Sequence, residues 1–287
     1  MSSGQDLILR HPTGSCCLPR RADARLLQAR TVAWCGTNRL LTDNSRAEET
    51  QAGLNPGLFS VLVYPQADED AAQLLSDFMA WWFLLDDGLE SMADLPPATA
   101  GNSRQFEIYS TALADQQPSG TTNVSISVAS EIGHRLQLLS LDSWHRRFCA
   151  AMSDWLFKGI TEELVCRQNE QHKAGIGIDQ YLNIRHFSSG AIPTLYLGEL
   201  AKTGRPCLRP ASTLVEAFLE QAARIIFLAN DTFSFTKEQN EPAPFNLILI
   251  IQQRLGGDLG RALAECADHY NRYNRAVECY LQIRDEL

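Results

Sequence analysis

Long hydrophobic runs are missing from this chain of 287 residues. The longest, Phe78 to Leu85 and Leu247 to Ile251, fall far below the ~20 residues that span a bilayer, so no membrane partner is expected. Near the N-terminus only Leu7, Ile8 and Leu9 form an apolar run before Arg10 and His11, too few for the core of a signal peptide; the expected location is cytoplasmic. Cysteine pairing motifs are missing too. The 8 cysteines are scattered without a C-x-x-C pair, which argues against a zinc or dithiol centre and for reduced, mostly buried thiols. Positive charge is in deficit: 25 Lys and Arg face 34 Asp and Glu, a net charge of −9. Such a chain is repelled by phosphate backbones, so nucleic acid is a poor partner. An anionic small molecule would need a local cationic device, either Arg and Lys side chains or bound metal ions.

What the chain does have is apolar material, 45% of its residues, enough for a large core. Strand-type alternation is nearly absent. Before about Ala22 the chain carries Pro12, Gly14 and Pro19 and little periodicity, so residues 1–21 read as a flexible arm. Helical spacing of apolar residues recurs from Ala22 to Trp34, Asp68 to Leu85, Val128 to Ser140, Leu141 to Gln171, Ile178 to Phe187, Ser212 to Thr236, Ala243 to Leu255 and Leu259 to Arg284. Between Ala93 and Ser125, breaks at Leu95-Pro96-Pro97, Gly101-Asn102 and Pro118-Ser119-Gly120 leave room for one short helix near Gln105 to Ala114. With no composition shift and no internal repeat, one all-α domain over residues 22–287 is expected. Two stretches, Phe78 to Leu85 and Ala222 to Ala229, are apolar nearly all round and belong at the centre of a helical bundle.

Both of these stretches run into oxygen-rich ends. The first continues as Asp86-Asp87-Gly88-Leu89-Glu90. Asp86 and Glu90 are four residues apart, about 40° around a helix, so their carboxylates leave one face together. Acids placed beneath Trp82 and Phe83 would cost several kcal/mol without a compensating cation. The second continues as Asn230-Asp231-Thr232-Phe233-Ser234-Phe235-Thr236-Lys237-Glu238. Here Asn230, Ser234 and Glu238 put amide, hydroxyl and carboxylate oxygens on one stripe, a set of hard donors suited to Mg²⁺ and a bound phosphate group. Lys237 is the neighbour placed to reach such a phosphate. A five-position pattern of this kind arises by chance in a chain this long on the order of once in ten thousand.

The two motifs resemble the aspartate-rich motif and the N-D-x-x-S-x-x-x-E motif of microbial class I terpene synthases. The run from Asn55-Pro56 through Tyr64-Pro65 to Trp81-Trp82-Phe83-Leu84-Leu85-Asp86-Asp87 is similar to that family's approach to its first motif, and 144 residues separate Asp86 from Asn230. Forty-five residues before Asn230, Arg185 stands in Tyr181-Leu182-Asn183-Ile184-Arg185-His186-Phe187-Ser188-Ser189-Gly190, which looks like the family's diphosphate-sensing segment.

The resemblance implies an all-α, class I terpenoid synthase-like helical bundle around a central cavity. It implies three Mg²⁺ ions, held by Asp86, Asp87 and Glu90 from one motif and Asn230, Ser234 and Glu238 from the other. Arg185 and Lys237 would bind the diphosphate, and Ser189 would help trigger ionisation. Trp82, Phe83, Phe227 and Ile226 would sit one turn deeper and line the substrate's dry pocket, where aromatic faces stabilise cations. The implied enzyme is a carbon–oxygen lyase that ionises a linear allylic diphosphate, farnesyl diphosphate first and geranyl diphosphate as the alternative, and cyclises it; a homodimer is compatible with the family.

One family feature is out of place. Family members carry an Arg-Tyr pair roughly 80 residues after the second motif, whereas Leu287 lies 57 residues after Asn230. Arg272-Tyr273 matches in letters but falls in a segment resembling an earlier helix, so the expectation is a chain lacking the Arg-Tyr segment. A catalytically silent diphosphate-binding or scaffolding helical protein is therefore the alternative function.

Overall fold

The computed structural model describes residues 22–41, 55–90, 100–114, 123–168, 175–203, 213–241 and 244–286. The expected N-terminal arm, and with it Cys16 and Cys17, lies outside them. Among the described residues there are helices and no strands. They belong to two compact units: Cys17–Phe157 with Pro193–Leu208, and Lys158–Ile192 with Arg209–Leu287.

In the first unit, α1 (Ala24–Thr37) starts at Asp23, whose carboxylate accepts from the Arg25 and Leu26 N–H groups at 2.8 and 3.2 Å, as an N-cap should. Helix α2 (Pro56–Val63) follows Asn55, which caps it from a left-handed backbone at φ 40°. Helix α3 (Glu69–Glu90) begins where Asp68 accepts from the Ala71 N–H at 2.9 Å. Helices α4 (Ala100–Leu113), α5 (Val124–Leu139) and α6 (Asp142–Asp154) complete the set, with α9 (Ala191–Thr203) contributing residues from Pro193 onward.

Helix α3 is the unit's axis. Phe78, Met79, Ala80 and Trp81 are all at 0% exposure, so four successive positions around the helix are covered, as an apolar circumference requires. The Trp81 indole N–H donates to the Ser125 carbonyl at 3.0 Å. Phe78 packs on Trp82 at 5.3 Å and on Phe148 at 5.6 Å, and Phe148 stacks on Trp144. One buried acid ties three helices: Asp77 accepts from Thr31 (2.8 Å), Gln73 (2.8 Å) and Arg135 (2.9 Å). Burial pushes its carboxyl upward, against the pull of Arg135 and these hydrogen bonds.

The second unit holds α7 (Thr161–Gln168), α8 (Ile178–Ser188), α10 (Thr213–Glu238), α11 (Leu247–Arg254) and α12 (Leu259–Glu286). Its core gathers Tyr181, Phe227, Leu228, Phe245, Leu247, Ile248 and Ile251. Helix α8 stops at Ser188 because Gly190 takes φ 68°, a left-handed conformation that glycine adopts without a Cβ penalty. Ser189 then accepts from the Ala191 N–H at 3.3 Å at the start of α9.

The sequence periodicity predicts one helix from Leu141 to Gln171. The structure instead interposes a π-helical stretch, Trp155–Ile160, between α6 and α7. Its Gly159 touches the end of α8: a Cβ there would lie 2.5 Å from the Ser188 nitrogen and 2.7 Å from the Phe187 carbonyl carbon. Both are backbone atoms that cannot swing aside. Gly159→Ala is expected to cost about 1–3 kcal/mol, the usual range for overpacking, and to lower the melting temperature by several degrees; a variant melting with the parent would refute the contact.

The described cysteines form no disulfide. Cys35, Cys166 and Cys266 are buried, Cys149 is partly buried and Cys279 exposed, in keeping with reduced thiols.

Candidate active site

Helix α10 carries the second motif, and its side chains divide by depth. Asp231 is at 0% exposure, Ser234 and Glu238 are half-buried, and Asn230 and Lys237 are exposed. Asp231 is the hub. Its Oδ2 accepts from the Tyr181 hydroxyl at 2.5 Å and from the Leu247 N–H at 3.1 Å, while its Oδ1 lies 3.7 Å from Arg185 Nε. Burial pushes the Asp231 carboxyl up to about 6, with Arg185, Tyr181 and the Leu247 N–H opposing. The same burial, followed by the Asp231 charge, pushes the Tyr181 phenol well up, so the phenol stays a hydrogen-bond donor.

Arg185 reaches α10 from the last turn of α8. It donates from NH2 to the Asn230 amide oxygen at 3.2 Å and faces Glu163 Oε2 across 3.6 Å. Burial disfavours its charged form, but Tyr181, Glu163, Asp231 and Glu238 outweigh that cost and its pKa rises, so the guanidinium is a permanent cation. Glu163 is shared with Arg167, whose Nε and NH2 donate to Glu163 Oε1 at 3.0 and 2.7 Å. At the far end of the stripe, Asn246 donates to Glu238 Oε2 at 2.9 Å. A fixed cation at Asn230 and an oriented carboxylate at Glu238 thus bracket the three oxygen donors.

The donor set fits Mg²⁺ on its own chemistry. Ser234 Oγ is buried with no hydrogen-bond partner, a condition that costs roughly 1–3 kcal/mol unless something accepts or coordinates the oxygen. Among the described residues no three His, Cys, Asp or Glu side chains gather around a metal position.

In the first unit, Asp86 is half-buried and Asp87 exposed at the end of α3. Glu90 closes that helix, and its side chain lies outside the described residues. Trp82 is 6% exposed and meets Trp155 edge-on at 5.3 Å; Phe83 is half-buried against Phe59 at 5.3 Å. In the second unit Phe227 is buried at 1% exposure, but Ile226, expected at depth, is 40% exposed. The apolar circumference expected of α10 is thus one-sided. Tyr273 sits inside α12 under the Arg224 guanidinium, 5.2 Å from it, and packs on the unit's core.

Sequence reasoning missed Glu163, Arg167, Tyr181, Asp231 and Asn246 as site-building residues. Local signals existed for three of them: Glu163 and Arg167 are an i,i+4 ion pair, and Asn246 stands as an N-cap before the apolar run Leu247 to Ile251.

In the second unit α10 carries amide, hydroxyl and carboxylate oxygens on one stripe with Arg185 against it, and in the first unit α3 ends in acidic residues. The family described as "Terpene synthase family 2, C-terminal metal binding" matches residues 77–275, and the chain belongs to it: the protein is a terpene synthase, a lyase acting on prenyl diphosphates. It is similar to the (+)-T-muurolol synthase ((2E,6E)-farnesyl diphosphate cyclizing) of Roseiflexus castenholzii, 27% identical over 253 residues that cover 87% of this chain and 74% of the relative. It is also similar to the (−)-delta-cadinene synthase of Streptomyces clavuligerus, 25% identical over 238 residues, 82% of this chain and 70% of that one. Among solved structures, a hedycaryol synthase in complex with HEPES shares the fold, with a TM-score of 0.72 over 97% of this chain and 86% of that one at 20% identity. No helix among the described residues is long and apolar enough to cross a membrane.

Proposed function

We propose that this terpene synthase is a Mg²⁺-dependent sesquiterpene cyclase that ionises farnesyl diphosphate and closes the resulting cation into a cyclic product. The observation that carries the reading is the α10 stripe, with Asn230 fixed by Arg185, a buried and unpartnered Ser234 hydroxyl, and Glu238 held by Asn246. The farnesyl choice follows the two relatives, one of which is named for cyclising that substrate. Asn230, Ser234 and Glu238 are the ligands of one magnesium ion, and Asp86, Asp87 and Glu90 supply the others.

Scission of the allylic C–O bond sends the bonding pair to the diphosphate and leaves a carbocation. When bound, magnesium ions stabilise the charge that develops on the departing group. The chain's own residues do the rest. Arg185, charged at any working pH, binds diphosphate oxygen from a position fixed by Asp231 and Glu163, so little reorganisation is needed when charge develops. Lys237, exposed at the end of the stripe, adds a mobile cation. Ser189, at the break behind α8, helps trigger the ionisation. Phe227 in the second unit, and Trp82 and Phe83 in the first, are the aromatic side chains proposed to stabilise the cation.

Incubation with Mg²⁺ and farnesyl or geranyl diphosphate, followed by gas chromatography of a pentane extract and an assay of released diphosphate, tests this. A cyclic C15 hydrocarbon or alcohol that disappears on chelation of the metal is expected. Absence of both product and diphosphate release at high enzyme concentration would leave a silent diphosphate-binding protein.

A further inference from the structure

We propose that Asn246 is a positioning residue for the metal site: its amide fixes the rotamer of Glu238, so that one carboxylate oxygen is held by the protein and the other is presented to the cation. The inference rests on the reading of Glu238 as a ligand. Asn246 is at 0% exposure and its amide is fully used. Nδ2 donates to the Asp231 carbonyl at 2.8 Å and to Glu238 Oε2 at 2.9 Å, and Oδ1 accepts from the Ile248 N–H at 2.9 Å. A flipped amide would turn its oxygen toward a carboxylate and a carbonyl and its N–H groups toward an N–H, so the geometry admits one orientation.

The position does three things at once. As the N-cap of α11 it starts the helix that follows. Through the Asp231 carbonyl it docks that helix start on α10, where the Leu247 N–H also bonds Asp231 Oδ2. Through Glu238 it reaches the last donor of the stripe. A glutamate on the last turn of a helix is otherwise free to sample several rotamers, and ordering it on metal binding opposes that binding. A buried N–H already in place removes that cost, and outer partners of metal-binding carboxylates matter for this reason. Asn246 touches neither substrate nor metal in this scheme and acts only through Glu238.

Asn246→Ser separates the roles, because serine caps a helix well but is too short to reach Glu238. Mg²⁺ is titrated in the presence of inorganic pyrophosphate, with calorimetric heat and the ligand-induced rise in melting temperature as readouts. The expected result is unchanged helical circular dichroism and a half-saturating Mg²⁺ concentration raised about 10–100-fold. In a Glu238→Ala background, where the acceptor held by Asn246 is gone, the same substitution is expected to change it less than about twofold. Asn246→Gly, also tolerated as a cap and without a side chain to reach Glu238, carries the test if the serine variant does not fold. Titration matching the parent, or an equal loss in both backgrounds, overturns the positioning role and leaves the functional reading standing. A parent protein that shows neither heat nor stabilisation with Mg²⁺ and pyrophosphate overturns the functional reading itself.

Discussion

Glu163→Ala is expected to lower the stability of this protein by about 3–5 kcal/mol, the range for removing one partner from a buried ion pair. Glu163 is 4% exposed and serves two guanidinium groups that are themselves nearly covered, Arg167 at 2.7 Å and Arg185 at 3.6 Å. Without it Arg167 keeps Glu241 at 3.7 Å and the Phe245 ring, and Arg185 keeps Asp231 at 3.7 Å and the Asn230 amide. Glu163→Gln retains the shape and an acceptor oxygen, so its loss should be smaller. Calorimetric melting of the three proteins decides the matter, and a Glu163→Ala protein melting within a degree of the parent would show that the pair contributes nothing net.

The same residue fixes the sign of a pH effect. Burial alone raises the Glu163 carboxyl, but Arg167 and Arg185, with hydrogen bonds from Ser188 and Arg167, outweigh it and hold the group below its ordinary value of 4.5. A carboxyl depressed in the folded state contributes stability that is fully present above its unfolded pKa and lost as pH falls through the folded one. On acidification below about 4.5 the parent should therefore lose melting temperature more steeply than Glu163→Gln, in which the group cannot titrate.

How much of this was legible in the sequence depends on the range over which each feature is built. The long helices follow from apolar spacing and from caps such as Asp23, and Asn55-Pro56 shows why α2 was passed over: the cap and the N1 proline were there, but eight mainly apolar residues have no period to read. Helix α9 was hidden by Pro193 in its first turn and by Gly198. The π-helical stretch was not legible: its Gly159 meets Ser188, a residue 29 positions further along the chain that local spacing does not report. The oxygen stripe was legible because its donors share one helix. The groups that hold it were not, because Tyr181 lies 50 residues from Asp231 and Glu163 belongs to a third helix. Ile226 failed in the opposite direction: an apolar letter at the expected spacing is 40% exposed.

Adjacent residues of the motif should respond to the same substitution in opposite ways. Asn230 is exposed and accepts from Arg185 at 3.2 Å. Asn230→Leu therefore removes the proposed ligand oxygen from a place where side-chain loss perturbs folding by under ~1 kcal/mol. Turnover is expected to fall by at least about 100-fold, beyond the usual effect of altering a mere outer partner, with circular dichroism and melting temperature near the parent's. Asp231→Leu does the reverse. It strips the Tyr181 hydroxyl, the Leu247 N–H and Arg185 of a fully buried carboxylate; Arg185 retains Glu163, but a loss of about 3–5 kcal/mol is expected, the range for removing one partner from a buried ion pair. Measured side by side, the first protein should be folded and inactive, the second poorly folded. An active Asn230→Leu protein would remove the ligand assignment from α10, and a fully stable Asp231→Leu protein would show that the hub is not what holds Arg185 and the stripe together.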